Sequence, residues 1–314
     1  MHGAMRFLPA PLAFAALAAS AFAQDLAGDL TLHRLLIDGE GWQVVAEGLG
    51  FADGPCADAA GNFYFSDMKA PAIFKIAPDG TRTKLADEPA SGLKLGPDGR
   101  LYACQGGKKR LIAIKVPGGT IEVIAEDVQP NDLVVTRRGA IYFTETGKKE
   151  VVKVNAGRNS KVTVDTGIAA PNGIALSPDE DTLAVSEYGG EFVWTFRVNP
   201  DGSLDAKTPY MTMRRPIDPA GEFKFNEPPP YKKAANGDGM TADSIGRWYV
   251  TSALGVQVFD PTGRLCGVLP KPQPDKPLTS CTLVRDFLHV TNGDKIFRRR
   301  VQASSPLSAQ PPAK

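Results

Sequence analysis

One short pattern returns six times along the chain: a Gly or Asp turn, then apolar and aromatic residues that end in Ser, Thr or Cys. It reads GNFYFSD from Gly61, GRLYAC from Gly99, GAIYFTE from Gly139, DTLAVSE from Asp181, GRWYVTS from Gly246 and DFLHVTN from Asp286. A short apolar run bounded by turn residues predicts a strand. Each copy has a second half, a hairpin with Gly or Asn at its turn, as in AIFKIAPDG (72–80) followed by residues 81–85, and VQVFDPTG (256–263) followed by 264–269. In such turns Pro presets φ and Gly accepts a positive φ. Two strands before and two after give four strands per copy.

The turn residues lie 38, 40, 42, 65 and 40 positions apart. Six copies at a period near forty, with one insertion, predict an all-β, six-bladed β-propeller of four-stranded blades. The sixth copy runs out after Lys295-Ile-Phe-Arg, short of its outermost strand, while the strand-like segment 42–47 precedes the first copy unassigned. The economical reading is that this N-terminal strand completes the last blade and removes an exposed edge. The predicted organisation is a signal peptide (1–23), a lead-in (24–40), the propeller (41–302) with an insertion at 205–236, and a disordered Pro/Ser/Ala tail (303–314).

Eight positions before each turn lies the start of an innermost strand. That place holds Asp53, Ser91, Asn131 and Asp238; Asn172 is its counterpart in copy four and Thr279 in copy six. All six are polar and four are Asp or Asn. Carboxylate and amide oxygens converging on an axis suit a hard divalent cation, and two carboxylates balance its charge. Asp and Asn also cap turns, and Asn172-Gly173 and Asp238-Gly239 are common turn pairs. A turn role alone, however, predicts no preference for one edge of the ring.

Charge narrows the chemistry. With 36 basic and 35 acidic residues and no basic stripe, nucleic acid is not an expected partner. The run Arg298-Arg299-Arg300 is read as a solvated edge. Three histidines, His2, His33 and His289, are too few for a multi-histidine zinc site and make a Ser-His-Asp hydrolase a poor fit. Cys56, Cys104, Cys266 and Cys281 make no disulfide framework; buried thiols are expected. At the N-terminus Arg6, the apolar stretch 9–21 and Ala21-Phe22-Ala23 read as an export signal cleaved before Gln24. A periplasmic or secreted protein follows, a monomer with no membrane partner once the signal is removed.

The segments PNDLVV (130–135), PNGIALSPD (171–179) and DGMTAD (238–243) resemble the SMP-30/gluconolactonase family, as do GVQVFDPTG (255–263) and Asp53-Gly-Pro. The resemblance spans about residues 45–300. It implies a six-bladed propeller holding Ca²⁺ or another divalent ion (Zn²⁺, Mn²⁺ or Mg²⁺) and, for most members, lactone hydrolysis. Carried over by position, Asp53, Asn172 and Asp238 match metal ligands, and Asn131 matches a residue beside the metal that also contacts substrate. Asp53 stands where the family usually has Glu, and Gln129 where some sugar-lactone members have Arg.

The expected reaction is the opening of a sugar-type lactone by a metal-polarised carbonyl and an activated water, with Asp238 as base and Asn131 on the substrate. The same site would suit aryl esters or phosphotriesters, and a propeller can also bind a ligand without catalysis. The insertion joins blade four to blade five on the metal's face, and its Tyr210, Arg214, Phe223, Phe225 and Lys232 suit an anionic or sugar-like ligand.

Overall fold

The computed structural model describes residues 30–306 except residue 159. The export signal and residues 307–314 therefore lie outside the described residues. Six antiparallel four-stranded sheets follow one another, with inner strands Ala52–Ala57, Leu93–Leu95, Leu133–Val135, Pro171–Leu176, Met240–Ala242 and Leu278–Val284. Each inner strand packs against those of both neighbouring sheets, the last against the first. The ring is a closed six-bladed β-propeller, as the repeat predicts.

The second strand of each blade shows why the repeat is so visible. Every residue of Phe63–Asp67 and of Trp248–Ser252 is buried, because a blade is sandwiched on both faces. Gly61 and Gly246, at the turns that lead into these strands, both have φ of +86°, a conformation that costs Gly little. Six apolar clusters fill the six seams. In the seam between blades one and two, Tyr64, Leu93, Leu101 and Ile112 are 2% exposed or less; each contributes about 1.5–3 kcal/mol by its burial. Tyrosine hydroxyls of the second strands close the far face, Tyr64 on Asp58 (2.9 Å), Tyr102 on Asp98 (2.8 Å) and Tyr249 on Asp243 (2.9 Å).

The strand Gln43–Ala46 pairs antiparallel with Lys295–Arg300, so the N-terminal strand completes blade six. This corrects the reading of Arg298-Arg299-Arg300 as an edge. The triplet lies in a third strand, with the closing strand outside it; Arg298 sits over the Phe287 ring and Arg300 pairs with Asp286 at 2.8 Å. Ahead of the closing strand, a short helix Leu30–Leu35, absent from the sequence reading, packs on the outer strand of blade five. A Cβ on Gly267 would meet Leu32 at 2.4 Å, and Leu35 is fully buried in the seam of blades five and six.

Two boundaries shift. The outer strand of blade four is Leu204–Thr212, so the connection to blade five begins at Met213 rather than at 205. Residues 304–306, assigned by composition to the tail, are tied down: Ser244 N–H donates to Ser304 O (2.9 Å), Ser305 N–H to Arg285 O (3.1 Å), and Ser305 is 5% exposed. The four cysteines are buried and form no disulfide with one another.

Candidate active site at the channel mouth

The links entering the inner strands and the turns between second and third strands open on one face. At the end of each second strand a buried polar residue holds these loops. Asp67 accepts N–H groups of Gly50 (2.7 Å) and Phe51 (3.0 Å), Glu187 that of Ala169 (3.1 Å), and Asn292 that of Gln273 (2.7 Å). Glu145 does the same for Gln129, which is exposed on the rim. Asp67 shows the cost and the compensation: burial raises its carboxyl, but four backbone donors hold it below the usual range.

Each rim residue then meets the next blade. In four blades a second-strand hydroxyl makes the tie. Ser66 donates to Ala90 O, Thr144 to Asn172 O (2.5 Å), Ser186 to Asp238 O (2.7 Å) and Thr251 to Thr279 O (3.1 Å). These are blades one, three, four and five, whose rim residues are Asp53, Asn131, Asn172 and Asp238. In blade two the equivalent position is Cys104, and the rim residue Ser91 itself donates to Asn131 O at 2.7 Å. In blade six the rim residue Thr279 relays, pairing with the Thr291 hydroxyl (2.8 Å) and donating to Ala52 O (3.1 Å). Of the six polar rim positions, two are therefore ring ties. The four Asp/Asn side chains are released for other work.

The backbone is close-packed here. A Cβ on Gly173 would lie 2.2 Å from Asp238 O, and one on Gly239 would lie 2.0 Å from the Ser280 hydroxyl. Blade three breaks the pattern with Asp132, whose carboxylate accepts N–H groups of Leu133 (2.8 Å) and, across the seam, Ile174 (3.3 Å).

Asp53, Asn131 and Asp238 are partly accessible and Asn172 is 8% exposed, so the cluster lines the floor of an open mouth. The Asn131 carboxamide makes no hydrogen bond among the described residues, while Asp238 accepts the Gly239 N–H at 3.0 Å and Asn172 lies near enough to lower its carboxyl. Burial pushes the Asp53 carboxyl up to about 8; the Gly54 N–H opposes this, the charge of Asp132 adds to it, and the Thr279 hydroxyl opposes it. Asp238 is raised well above the carboxylate range by burial and by the charges of Asp53 and Asp132. Asp132 rises to about 6, burial being opposed by Lys94 and by the two N–H donors. Like charges desolvated together resist ionisation until a cation joins them.

Of the predicted site residues, the geometry couples Asp53, Asn172 and Asp238, and places Asn131 in register beside them. Among the described residues no three His, Cys, Asp or Glu side chains form a metal-holding group, because the set is two carboxylates with two carboxamides. Sequence reasoning missed Asp132 and Lys94. Asp132 had a signal: it stands where blades one, two, four and five carry Gly54, Gly92, Gly173 and Gly239.

A model of the SMP-30/gluconolactonase/LRE-like region matches residues 51–292. The chain belongs to this family. Among relatives of the SMP-30 chain is a gluconolactonase of Zymomonas mobilis, 25% identical over 277 residues, covering 76% of this chain and 74% of that protein. A lactonase drp35 of Staphylococcus aureus is 30% identical over 177 residues, about half of each chain (50% and 52%). The fold matches that of a gluconolactonase from Xanthomonas campestris at a TM-score of 0.71, with 24% identity and coverage of 86% of this chain and 92% of that one. It also matches the calcium-binding protein regucalcin of Agrobacterium tumefaciens at 0.67, with 15% identity and coverage of 85% and 95%.

Proposed function

We propose that this SMP-30 family chain is a metal-dependent lactonase that opens sugar-type lactones, working outside the cytoplasm. The observation that carries the metal is the pair Asp53 and Asp238. Each accepts one backbone N–H, from Gly54 (2.9 Å) and Gly239 (3.0 Å), and neither forms an ion pair among the described residues. Two carboxylates with two carboxamides form an all-oxygen donor set, which fits a hard divalent ion such as Ca²⁺, Mg²⁺ or Mn²⁺. Asp53, Asn172 and Asp238 would hold the ion, with Asn131 at its side. Bound there, it supplies polarisation of the lactone carbonyl and acidification of water.

The protein's own groups do the rest. Asp238 takes the proton of the attacking water and returns it to the ring oxygen as the C–O bond breaks, leaving a hydroxy-carboxylate. Asn172, beside Asp238, favours the ionised form of its carboxyl. Asn131, with its carboxamide uncommitted, donates to a substrate oxygen. Export rests on the N-terminal sequence alone, and on the relatives' names rests the lactone.

The test is a pH-stat assay of D-glucono-1,5-lactone, an aryl ester and a phosphotriester, on protein stripped with EDTA and then reloaded with Ca²⁺, Mn²⁺ or Zn²⁺. Lactone opening lost with EDTA and restored by one ion is expected. Turnover unaffected by EDTA, or ester cleavage with no lactone opening, would overturn the reading.

A further inference from the structure

The far end of the central channel holds a cavity of about 130 Å³ that the proposed reaction does not use. All six blades line it, and Ser305, whose N–H donates to Arg285 O at 3.1 Å, and Pro306 stand at its wall. The wall is mixed, with Ala57, Val134, Ala175, Leu176 and Ala242 set among polar side chains.

Of the polar side chains, Lys94, Thr241 and Thr282 have no hydrogen-bond partner of their own among the described residues. Lys94 is the middle residue of the inner strand Leu93–Leu95 of blade two. Its side chain lines the cavity together with Cys56 of blade one, Val134 of blade three and Thr282 of blade six. It forms no ion pair or hydrogen bond among the described residues. Thr282 of blade six is 6% exposed, and Thr241 of blade five lies beside it on the wall; neither hydroxyl has a hydrogen-bond partner among the described residues. Lys94 and Thr241 are only partly buried, so water reaches the ammonium, and a carboxylate that takes the water's place gains a charge-assisted hydrogen bond. The other charged groups of the wall are occupied: Glu180 accepts the N–H of Arg137, and Arg137 donates to Pro178 O.

We propose that this lower channel is a second ligand site, for a short-chain monocarboxylate, separate from the reaction at the upper mouth. The Lys94 ammonium and the Thr241 and Thr282 hydroxyls receive the carboxylate, and the valine, alanine and leucine walls receive a short apolar body. The space is close to that of an engineered cavity of roughly 150 Å³ that takes benzene, enough for a carboxylate of a few heavy atoms. So small a ligand binds in the millimolar range.

The test is isothermal titration of propionate, with inorganic phosphate as a second probe, into the full mature chain. The wild type binds one propionate saturably. Lys94→Met weakens binding about tenfold or more, and the near-isosteric Thr282→Val, which keeps the channel charge, weakens it several-fold. Asp238→Asn, at the upper mouth, leaves propionate binding intact, so that failure here and failure of the lactonase reading are told apart. No saturable propionate binding by the wild type, unchanged binding in both Lys94→Met and Thr282→Val, or loss on Asp238→Asn overturns the proposal. Preference for phosphate over propionate overturns the carboxylate assignment. If Lys94→Met does not fold, Thr282→Val alone decides.

Discussion

Blade two commits the side chain of its rim residue to its neighbour, whereas blade three keeps its own uncommitted. Ser91 and Asn131 occupy equivalent places 40 residues apart, and the Ser91 hydroxyl donates to the Asn131 carbonyl at 2.7 Å. The difference is set one strand further out. Blade three has Thr144 to bridge to blade four, while blade two has Cys104, a weak donor that makes no such bond. Where the second strand carries the tie, the rim side chain is free to vary, and it is there that Asp and Asn stand. Chemistry and ring closure thus share one register without competing for the same atoms.

The strongest way to break this comparison is to remove a rim residue of the uncommitted class. Asp238→Ala should lower lactone turnover by about 10³-fold, the loss of a general base and of a ligand together, while the melting temperature stays within a few degrees. A variant that keeps wild-type turnover would return Asp238 to the class of turn residues.

The blades were legible in the sequence because each second strand is buried on both faces and bounded by a turn residue, a local signal. The rim register was legible for the same reason, since it is counted back from that turn. What was not legible depends on the ring. Lys94 alternates with Leu93 and Leu95 as a solvated lysine would, and only the convergence of six inner strands puts it on a shared cavity wall. The Ser or Thr that closes the motif was visible in blades one, three, four and five, but its partner lies in the next blade, 24, 28, 52 and 28 residues on. The ordering of residues 304–306 comes from hydrogen bonds to Ser244 and Arg285, which composition cannot show.

Acid-base linkage sharpens the comparison by about a further 2 kcal/mol, a figure discounted for water at the open mouth. Without a cation, folded Asp53 holds its proton up to about pH 8, whereas the unfolded chain releases it near 3.8, the ordinary value of an aspartate. The native state then binds the extra proton. The stabilisation is complete below pH 3.8 and is lost as the pH rises through 8. Melting temperatures of EDTA-treated protein should fall by about 5 °C from pH 5 to pH 8 relative to Asp53→Asn, which has no proton there to lose. Added Ca²⁺ should remove the difference in the wild type alone, because an ion bound only by the folded state stabilises it. Parallel pH profiles of the two proteins would remove Asp53 from the coupled set.

The smallest expected effect tests the tie itself. Ser91→Ala removes the hydroxyl that joins blade two to blade three and leaves the Asn131 carbonyl without this donor, a cost of about 1–2 kcal/mol, with turnover within a few-fold of wild type. Cys104→Ser places a hydroxyl where Thr144, Ser186 and Thr251 carry theirs, and those reach the rim carbonyl of the next blade at 2.5, 2.7 and 3.1 Å. Alone it should change little, within about 1 kcal/mol, since Asn131 O already accepts from Ser91 and a carbonyl has a second lone pair. Together with Ser91→Ala it should regain at least half of the lost stability, because the new hydroxyl takes over the vacant partner. The two changes are then non-additive in denaturant unfolding, with a coupling of about 0.5–1 kcal/mol. Strict additivity would mean that Cys104 is held for its packing in the seam of blades two and three, where it is fully buried, and that the hydroxyl pattern of the other blades does not transfer to blade two.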